Sequence, residues 1–279
     1  MKWVDQAVRP EFSWPDRLVE IPFEGYKIVL QPLTEQLSCT VSLFDPNDTT
    51  FEAGGTILAR FLSRLAWSKS GAITELFIMG SSNLEQPGRL GRGNFGRSVW
   101  AHVEPWPYLY LPLPATSQAD LALALFREAM SLNSAPFAFL SFFKVLNIAY
   151  SDGHEQRDWI NNNLGFITNG RGLDRLNELQ VTESDIGHYL YKEGRCAVAH
   201  AYGTPLVNPD NYSDKRRLHL DLPLIRELAA VFIEREFGVL FESTFLQRHR
   251  DSDLSSSEIL FPRINEDGVV RYGAFAENP

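Results

Sequence analysis

The chain has 279 residues, of which 44% are hydrophobic and 22% are charged, and its formal net charge is −9. These proportions are typical of globular proteins and exclude a disordered, collagen-like or membrane-spanning chain. The acidic balance argues against broad, sequence-independent binding of nucleic acid, because such binding needs a positive face, but it leaves a local basic patch open.

The N-terminal sequence and the cysteines favour a cytoplasmic protein. Residues 1–6 lack the apolar core of a secretory signal. Cys39 and Cys196 lie far apart and have no metal-ligand spacing, which favours reduced thiols while leaving one disulfide open. We therefore expect a cytoplasmic location, no membrane segment and no cofactor.

Residues 1–115 predict an α+β domain in which strands are covered by one helix. Apolar residues at helical spacing predict a helix over 54–68. Alternating, β-rich segments predict strands at 18–31, 37–44, 73–79, 98–104 and 108–111. A turn at Glu24-Gly25 is expected within the first of these segments.

Residues 116–240 predict an all-α bundle that begins after a proline-rich connector at 105–114. Thr116 or Ser117 suits the N-cap of its first helix. A break is expected near Pro136, because proline cannot continue a helix interior. The segment 137–150 is apolar nearly all round and predicts a central helix. Further helices are expected at 154–163, 172–179, 184–201 (capped by Thr182 or Ser184) and 218–237, the last ending at Gly238.

Residues 241–279 read as a polar C-terminal tail that belongs to neither domain. Within this tail, Asp267-Gly268 has the residue types of a tight hairpin turn.

The main candidate site is Arg195 with His200, which lie five residues apart on the predicted helix 184–201. Arginine holds phosphate through forked hydrogen bonds, and histidine exchanges protons near neutral pH. Together they provide the groups needed to cleave RNA without a metal. On an ideal helix the two positions are about 140° apart in azimuth, so the arginine must reach toward an edge that His200 also faces.

The same spacing occurs at Arg97 and His102, where it has less meaning. That match lies in an alternating, strand-like run, and five residues of strand span roughly 16 Å with side chains on opposite faces. We therefore expect function at Arg195 and His200 and not at the earlier pair.

The region around Arg195 resembles the HEPN family, whose motif is Arg-x4–6-His with a tyrosine one turn earlier and a small residue after the histidine. Tyr191, Arg195, His200 and Ala201 match that pattern. More specifically, the segments RCAVAHA, PLVNPDN and DLPLIRELA resemble MauJ-type proteins of methylamine utilisation; they lie at 195–201, 205–211 and 221–229.

This resemblance implies a HEPN-like bundle that forms a homodimer and brings two Arg/His pairs together over a cleft. It implies a metal-independent endoribonuclease with RNA as substrate and a role in stress or defence. The expected supporting residues are Tyr191, Cys196 and Tyr202. The position after the arginine is commonly Asn, His or Asp in active relatives, whereas Cys196 is a weak hydrogen-bonding partner. The alternative is a non-catalytic dimeric binding or accessory module linked to amine metabolism.

Four basic residues are candidate RNA contacts: Lys192, Lys215, Arg216 and Arg217. For the last three a solvated helix start is the favoured interpretation, and an RNA-backbone contact is the alternative. The glycine-rich run 88–96 lacks a Walker lysine and predicts a hairpin loop with exposed arginines. The residues of 152–155 include metal-ligand types, but no second cluster accompanies them, and we expect no metal site.

Overall fold

A computed structural model describes residues 2–45, 50–81, 86–88, 90–91, 104–202, 204–208, 210–249, 258–265 and 267–274. The chain divides into two compact units. The first unit comprises Met1–Leu113 together with Leu240–Pro279, and the second is Pro114–Val239. The C-terminal segment is therefore not the separate polar tail expected from its composition, because its apolar residues complete the first unit.

The first unit is built on a sheet of eight described strands in the order β5-β1-β4-β3-β2-β8-β7-β6. Neighbouring strands are antiparallel except β2 and β8, which run parallel. Their bounds are Trp3–Pro10 (β1), Val19–Phe23 (β2), Tyr26–Gln31 (β3), Cys39–Phe44 (β4), Ile73–Ser81 (β5), Leu109–Tyr110 (β6), Ile259–Ile264 (β7) and Val270–Gly273 (β8).

Two predicted turns are confirmed by their backbone geometry. Glu24 and Gly25 both have positive φ, at 50° and 80°, and join β2 to β3. Gly268, with φ of 76°, lies between β7 and β8. Positive φ at a central turn residue matches the twist of the flanking strands, which explains the register of both hairpins. Most of the predicted strand at 98–104 lies outside the described residues.

Helix α1 (Phe51–Ser68) provides the apolar face expected of a covering helix. Thr50 caps it by accepting a hydrogen bond from the Ala53 amide at 3.2 Å. Phe61, Leu62 and Leu65 are fully buried and share one core cluster with apolar side chains of the sheet. A short helix near the C-terminus, α9 (Glu242–Arg248), also belongs to this first unit.

The second unit is helical throughout its regular structure, as the sequence predicted, and we call it the helical unit. Its described elements are α2 (Ser117–Ser131), α3 (Ala135–Asn147), α4 (Gly153–Asn163), a 3₁₀ turn (Leu164–Phe166), α5 (Gly170–Thr182), α6 (Ile186–Tyr189), a π-helical segment (Leu190–Cys196), α7 (Ala197–Ala199) and α8 (Tyr212–Phe237); α9 (Glu242–Arg248) follows. Thr116 caps α2, and the helix is interrupted before Pro136, so that α2 and α3 are separate helices; both features were predicted.

Helix α3 is the central element of the helical unit. Phe139, Phe142 and Phe143 are buried within a single copy of the chain. Its apolar surface therefore does not by itself require a second copy to cover it. Phe137, at the start of α3, is the exception, with 60% of its surface exposed.

Among the helices of the described ranges, none is long and apolar enough to cross a membrane.

Candidate functional site

The motif lies on an irregular helical run and not on the continuous helix expected over 184–201. Asp185 caps α6, since its carboxylate accepts a hydrogen bond from the His188 amide at 2.7 Å, so neither Thr182 nor Ser184 is the cap. A π-helical segment follows, and α7 ends at Ala199. His200 has extended backbone angles (φ −120°, ψ 134°), so the histidine stands just beyond the helix.

Gly194 explains how the π-helical segment packs so close to α3. A Cβ atom at this position would collide with the Phe139 ring. The absence of a side chain therefore lets the backbone rest on the aromatic core. Segments of this kind are frequent at functional sites, and Arg195 directly follows this contact.

Arg195 is brought together with two of its predicted supporting residues. Its guanidinium carbon lies 5.6 Å from the centroid of the Tyr191 ring, and Nη1 lies 3.7 Å from Cys196 Sγ. Burial raises the pKa of the Tyr191 hydroxyl, and the neighbouring Cys196 raises it further. These contacts orient a half-buried guanidinium through a cation–π interaction and a weak sulfur contact.

His200 belongs to a separate, exposed group. Its ring lies 5.5 Å from that of Tyr202, a side chain with 78% of its surface exposed. Among the contacts of the described residues, none joins the Arg195 guanidinium to the His200 imidazole. The structure thus pairs Arg195 with Tyr191 and Cys196, and His200 with Tyr202.

The predicted basic contacts separate into two groups. Lys192, Lys215 and Arg216 are exposed. Arg217 instead points inward: its Nη2 donates to the Glu193 carbonyl at 2.8 Å, and its Nη1 lies 3.6 Å from the Asp221 carboxylate. Helix α8 begins at Tyr212, not at 218 as predicted, because Asn211 caps it. All three residues of 215–217 therefore lie within its first turns.

Asp221 is the centre of a buried polar network that the sequence analysis missed. Its carboxylate is fully buried; it accepts hydrogen bonds from Arg175 Nε at 2.8 Å and from the Tyr189 hydroxyl at 3.0 Å. Burial raises the pKa of Asp221, against the opposing charge of Arg175. Burial also opposes the charge of Arg175, but the hydrogen bond to Glu178 and the charge of Asp221 outweigh it and raise the pKa of the guanidinium.

The signal for this network was an acidic residue on the apolar face of α8. Leu218, Leu224 and Ile225 lie at helical spacing from Asp221 and are buried. A carboxylate at such a position must be paired, because an isolated buried charge is strongly unfavourable.

A cleft of about 670 Å³ opens beside the end of the motif run, and we call it the basic cleft. It is formed by the start of α3, by α7 and the segment after it, and by the first turns of α8. The residues that line it are Asn133, Ser134, Ala135, Pro136, Phe137, Val198, Val207, Tyr212, Lys215, Arg216 and His219.

A second cluster brings together two histidines that lie far apart in the sequence, His154 and His188. Arg157 lies within hydrogen-bonding distance of the ring nitrogens of His188, at 3.0 Å, and His154. Its guanidinium carbon also lies 5.7 Å from the Tyr191 ring, on which Arg195 packs as well. Nothing in the spacing of these residues pointed to this cluster, because it joins α4 to α6.

Metal-ligand residue types do not cluster in the described part of the chain. Asp152, one of the acidic residues noted at 152–155, caps α4 by accepting from the His154 amide at 2.7 Å. The alternative Arg97/His102 pair and most of the glycine-rich run 88–96 lie outside the described residues.

The comparison with protein families falls on the helical unit. Residues 122–234 match the model of a family described as methylamine utilization protein MauJ. The helical unit is similar to MauJ. This MauJ-like region includes α3, the motif run and most of α8, and therefore Arg195, His200 and their predicted supporting and basic residues. No curated protein and no solved structure matches the chain.

Proposed function

We propose that the helical unit is a metal-independent endoribonuclease of the HEPN type that acts as a homodimer. The observation that carries this proposal is the presence of an oriented, half-buried arginine and an exposed histidine on the same helical run, with the histidine at its end. The neighbouring basic cleft, with Lys215 and Arg216, supplies positive charge for an RNA backbone.

In the proposed reaction, His200 removes the proton from a ribose 2′-hydroxyl. The 2′-oxygen attacks the adjacent phosphorus, the bond to the 5′-oxygen breaks, and that oxygen takes up a proton from water as it leaves. Arg195 stabilises the negative phosphoryl oxygens. The products are a 2′,3′-cyclic phosphate and a 5′-hydroxyl. Because Arg195 and His200 do not touch within one chain, substrate or a second copy must unite them.

Exposed apolar side chains near the motif support a dimer. Tyr202 and Leu206, which follow His200 in the chain, have 78% and 46% of their surfaces exposed. Apolar surface that a monomer leaves exposed often marks an interface. A two-fold axis near this surface would bring two copies of the motif together.

The test is cleavage of end-labelled single-stranded RNA in EDTA by the purified full chain. His200→Ala should lower the rate by about 10²–10⁴-fold, the usual contribution of general acid–base transfer. Arg195→Lys should also cleave slowly, because the point charge of lysine cannot replace the planar fork of the guanidinium. A substrate with one 2′-deoxy sugar should resist cleavage at that site only. His249→Ala, in the other unit, is the matched histidine control.

Cys196→Asn sharpens the test, because it introduces the polar neighbour usual in active relatives and should raise a weak activity. If wild type and Cys196→Asn are both inert on diverse RNAs while His200→Ala still dimerises in light scattering, the nuclease proposal fails. The second candidate, a non-catalytic dimeric accessory module linked to amine metabolism, then takes its place. The MauJ match and the Cys196 contact with Arg195 favour that candidate.

A further inference from the structure

The basic cleft has a charge opposite to that of the chain as a whole. Its described lining includes Lys215, Arg216 and His219 but no aspartate or glutamate, although acidic residues outnumber lysine and arginine by 35 to 26 in the sequence. Within the described part of the chain, no hydrogen bond or ion pair involves these three side chains. Positive charge left unpaired in a concave site indicates an anionic ligand.

The cleft also presents two exposed aromatic rings. Phe137 has 60% of its surface exposed and Tyr212 has 76%. Both line the same cavity as the cationic side chains. Exposed aromatic rings next to cations are typical of sites that stack a nucleobase while holding its phosphate. A site for phosphate alone would not need them.

The size and position of the cleft agree with such a ligand. Its volume of about 670 Å³ lies within the usual range for small-molecule sites. Val198, on its wall, is two residues from His200. A ligand in the cleft would therefore lie near the end of the motif run.

We infer that the basic cleft binds a nucleoside phosphate, with the phosphate toward Lys215 and Arg216 and the base against Phe137 and Tyr212. This inference rests on the proposed function for its choice of a nucleotide, and it deepens that function by assigning a subsite. The ligand chemistry has two sources, a free mononucleotide or one unit of a single-stranded RNA.

The experiment measures equilibrium binding to the full-length His200→Ala variant, so that cleavage does not consume the probe. The probes are AMP, UMP, inorganic phosphate and a fluorescent single-stranded RNA of about ten nucleotides. Lys215→Glu and Arg216→Glu should each weaken nucleotide and RNA binding about ten-fold or more, since they remove a charged hydrogen bond. Each should also reduce the slope of log K against log salt for RNA by about one. Lys144→Glu is the charge-matched control, because Lys144 is exposed on α3, outside the cleft lining.

The aromatic variants test for the base. Tyr212→Ala should weaken AMP binding about ten-fold, and Tyr212→Phe should restore it, because stacking needs the ring and not the hydroxyl. Inorganic phosphate should bind equally to both variants. If AMP is lost in Lys215→Glu but unaffected by both Tyr212→Ala and Phe137→Ala, the site holds phosphate alone and the nucleotide assignment is overturned.

Mononucleotides that compete with the RNA at similar concentrations indicate a free nucleotide as ligand, whereas much tighter RNA binding indicates one unit of a strand; both support the inference. Binding that no cleft variant changes overturns it, even if the wild type cleaves RNA. Cleft-dependent binding by a chain without nuclease activity supports the cleft and rejects the proposed catalysis instead.

Discussion

Two neighbouring arginines on α8 meet opposite environments. Arg217 lies half-buried between the Glu193 carbonyl and Asp221, in the network that also contains Arg175. Arg216 is exposed and lines the basic cleft. The sequence Lys-Arg-Arg presents the two as equivalent, and the helix rotates them onto different faces.

The difference divides one short basic run between the stability of the fold and the ligand binding that we propose for the basic cleft. A charge inside the network is balanced by partners, and removing a partner leaves a buried charge unsatisfied. A charge in the open cleft makes no such contribution to stability and is available to a ligand. The following predictions test this division, beginning with the largest effect.

Asp221→Ala should destabilise the helical unit by about 3–5 kcal/mol, because it leaves the buried end of Arg175 without its carboxylate. The measurement is urea unfolding of the full chain followed by its helical circular dichroism. Asp158→Ala is the control, since Asp158 is exposed on α4, and it should change stability by no more than about 0.5 kcal/mol. Equal losses of unfolding free energy in the two variants would mean that the Asp221 network does not stabilise the fold.

Arg217→Ala should lower the free energy of unfolding by about 1.5–3 kcal/mol, because it removes a charged hydrogen bond to the Glu193 carbonyl and weakens the pairing of Asp221. Arg216→Ala, one residue away, should remain within about 0.5 kcal/mol of the wild type. The same unfolding measurement compares them directly. A loss of unfolding free energy in Arg216→Ala as large as that in Arg217→Ala would contradict the different roles assigned to the two faces of α8.

Asp185 is an intermediate case, exposed yet partnered, and Asp185→Ala should cost about 1 kcal/mol through loss of the α6 cap. Hydrogen bonds from the Asn161 side chain, and then from the His188 amide, lower the pKa of Asp185. Its charge therefore stabilises the fold above the unfolded pKa of about 3.9, and this stabilisation is lost as pH falls through the lower folded pKa. The unfolding free energy of wild type relative to Asp185→Asn should thus decline between about pH 5 and pH 2. A difference that stays constant over that range would contradict the assigned role.

The sequence predicted the elements whose signals are local. The hairpin at Glu24-Gly25 and the break before Pro136 follow from backbone preferences of one or two residues. The central position of α3 follows from its composition. By contrast, β1 was missed because Asp5, Gln6 and Arg9 make its sequence look polar, although Asp5 and Gln6 are buried in the middle of the sheet.

The candidate site was predicted in its residues but not in its geometry. Tyr191, Arg195 and Cys196 lie in contact, whereas His200 contacts Tyr202 and not Arg195. The π-helical segment was not predicted, because it depends on Gly194 packing against Phe139 of a different helix. The basic cleft could not be predicted from the sequence either, since it combines residues from three separate stretches of the chain.

The division of the chain has a consequence for its synthesis. Strands β7 and β8 come after the whole helical unit in the sequence, yet β8 pairs with β2 and β7 with β6, so these two strands link β6 to the rest of the sheet. The ribosome therefore releases a complete helical unit while the sheet still ends at β2. At about 5–20 residues per second, the segment from Leu240 to Gly273 takes roughly 2–7 s to make. During that interval the β2 edge, with the backbone groups of Val19 and Glu20 unpaired, is open to a chaperone or to another nascent chain.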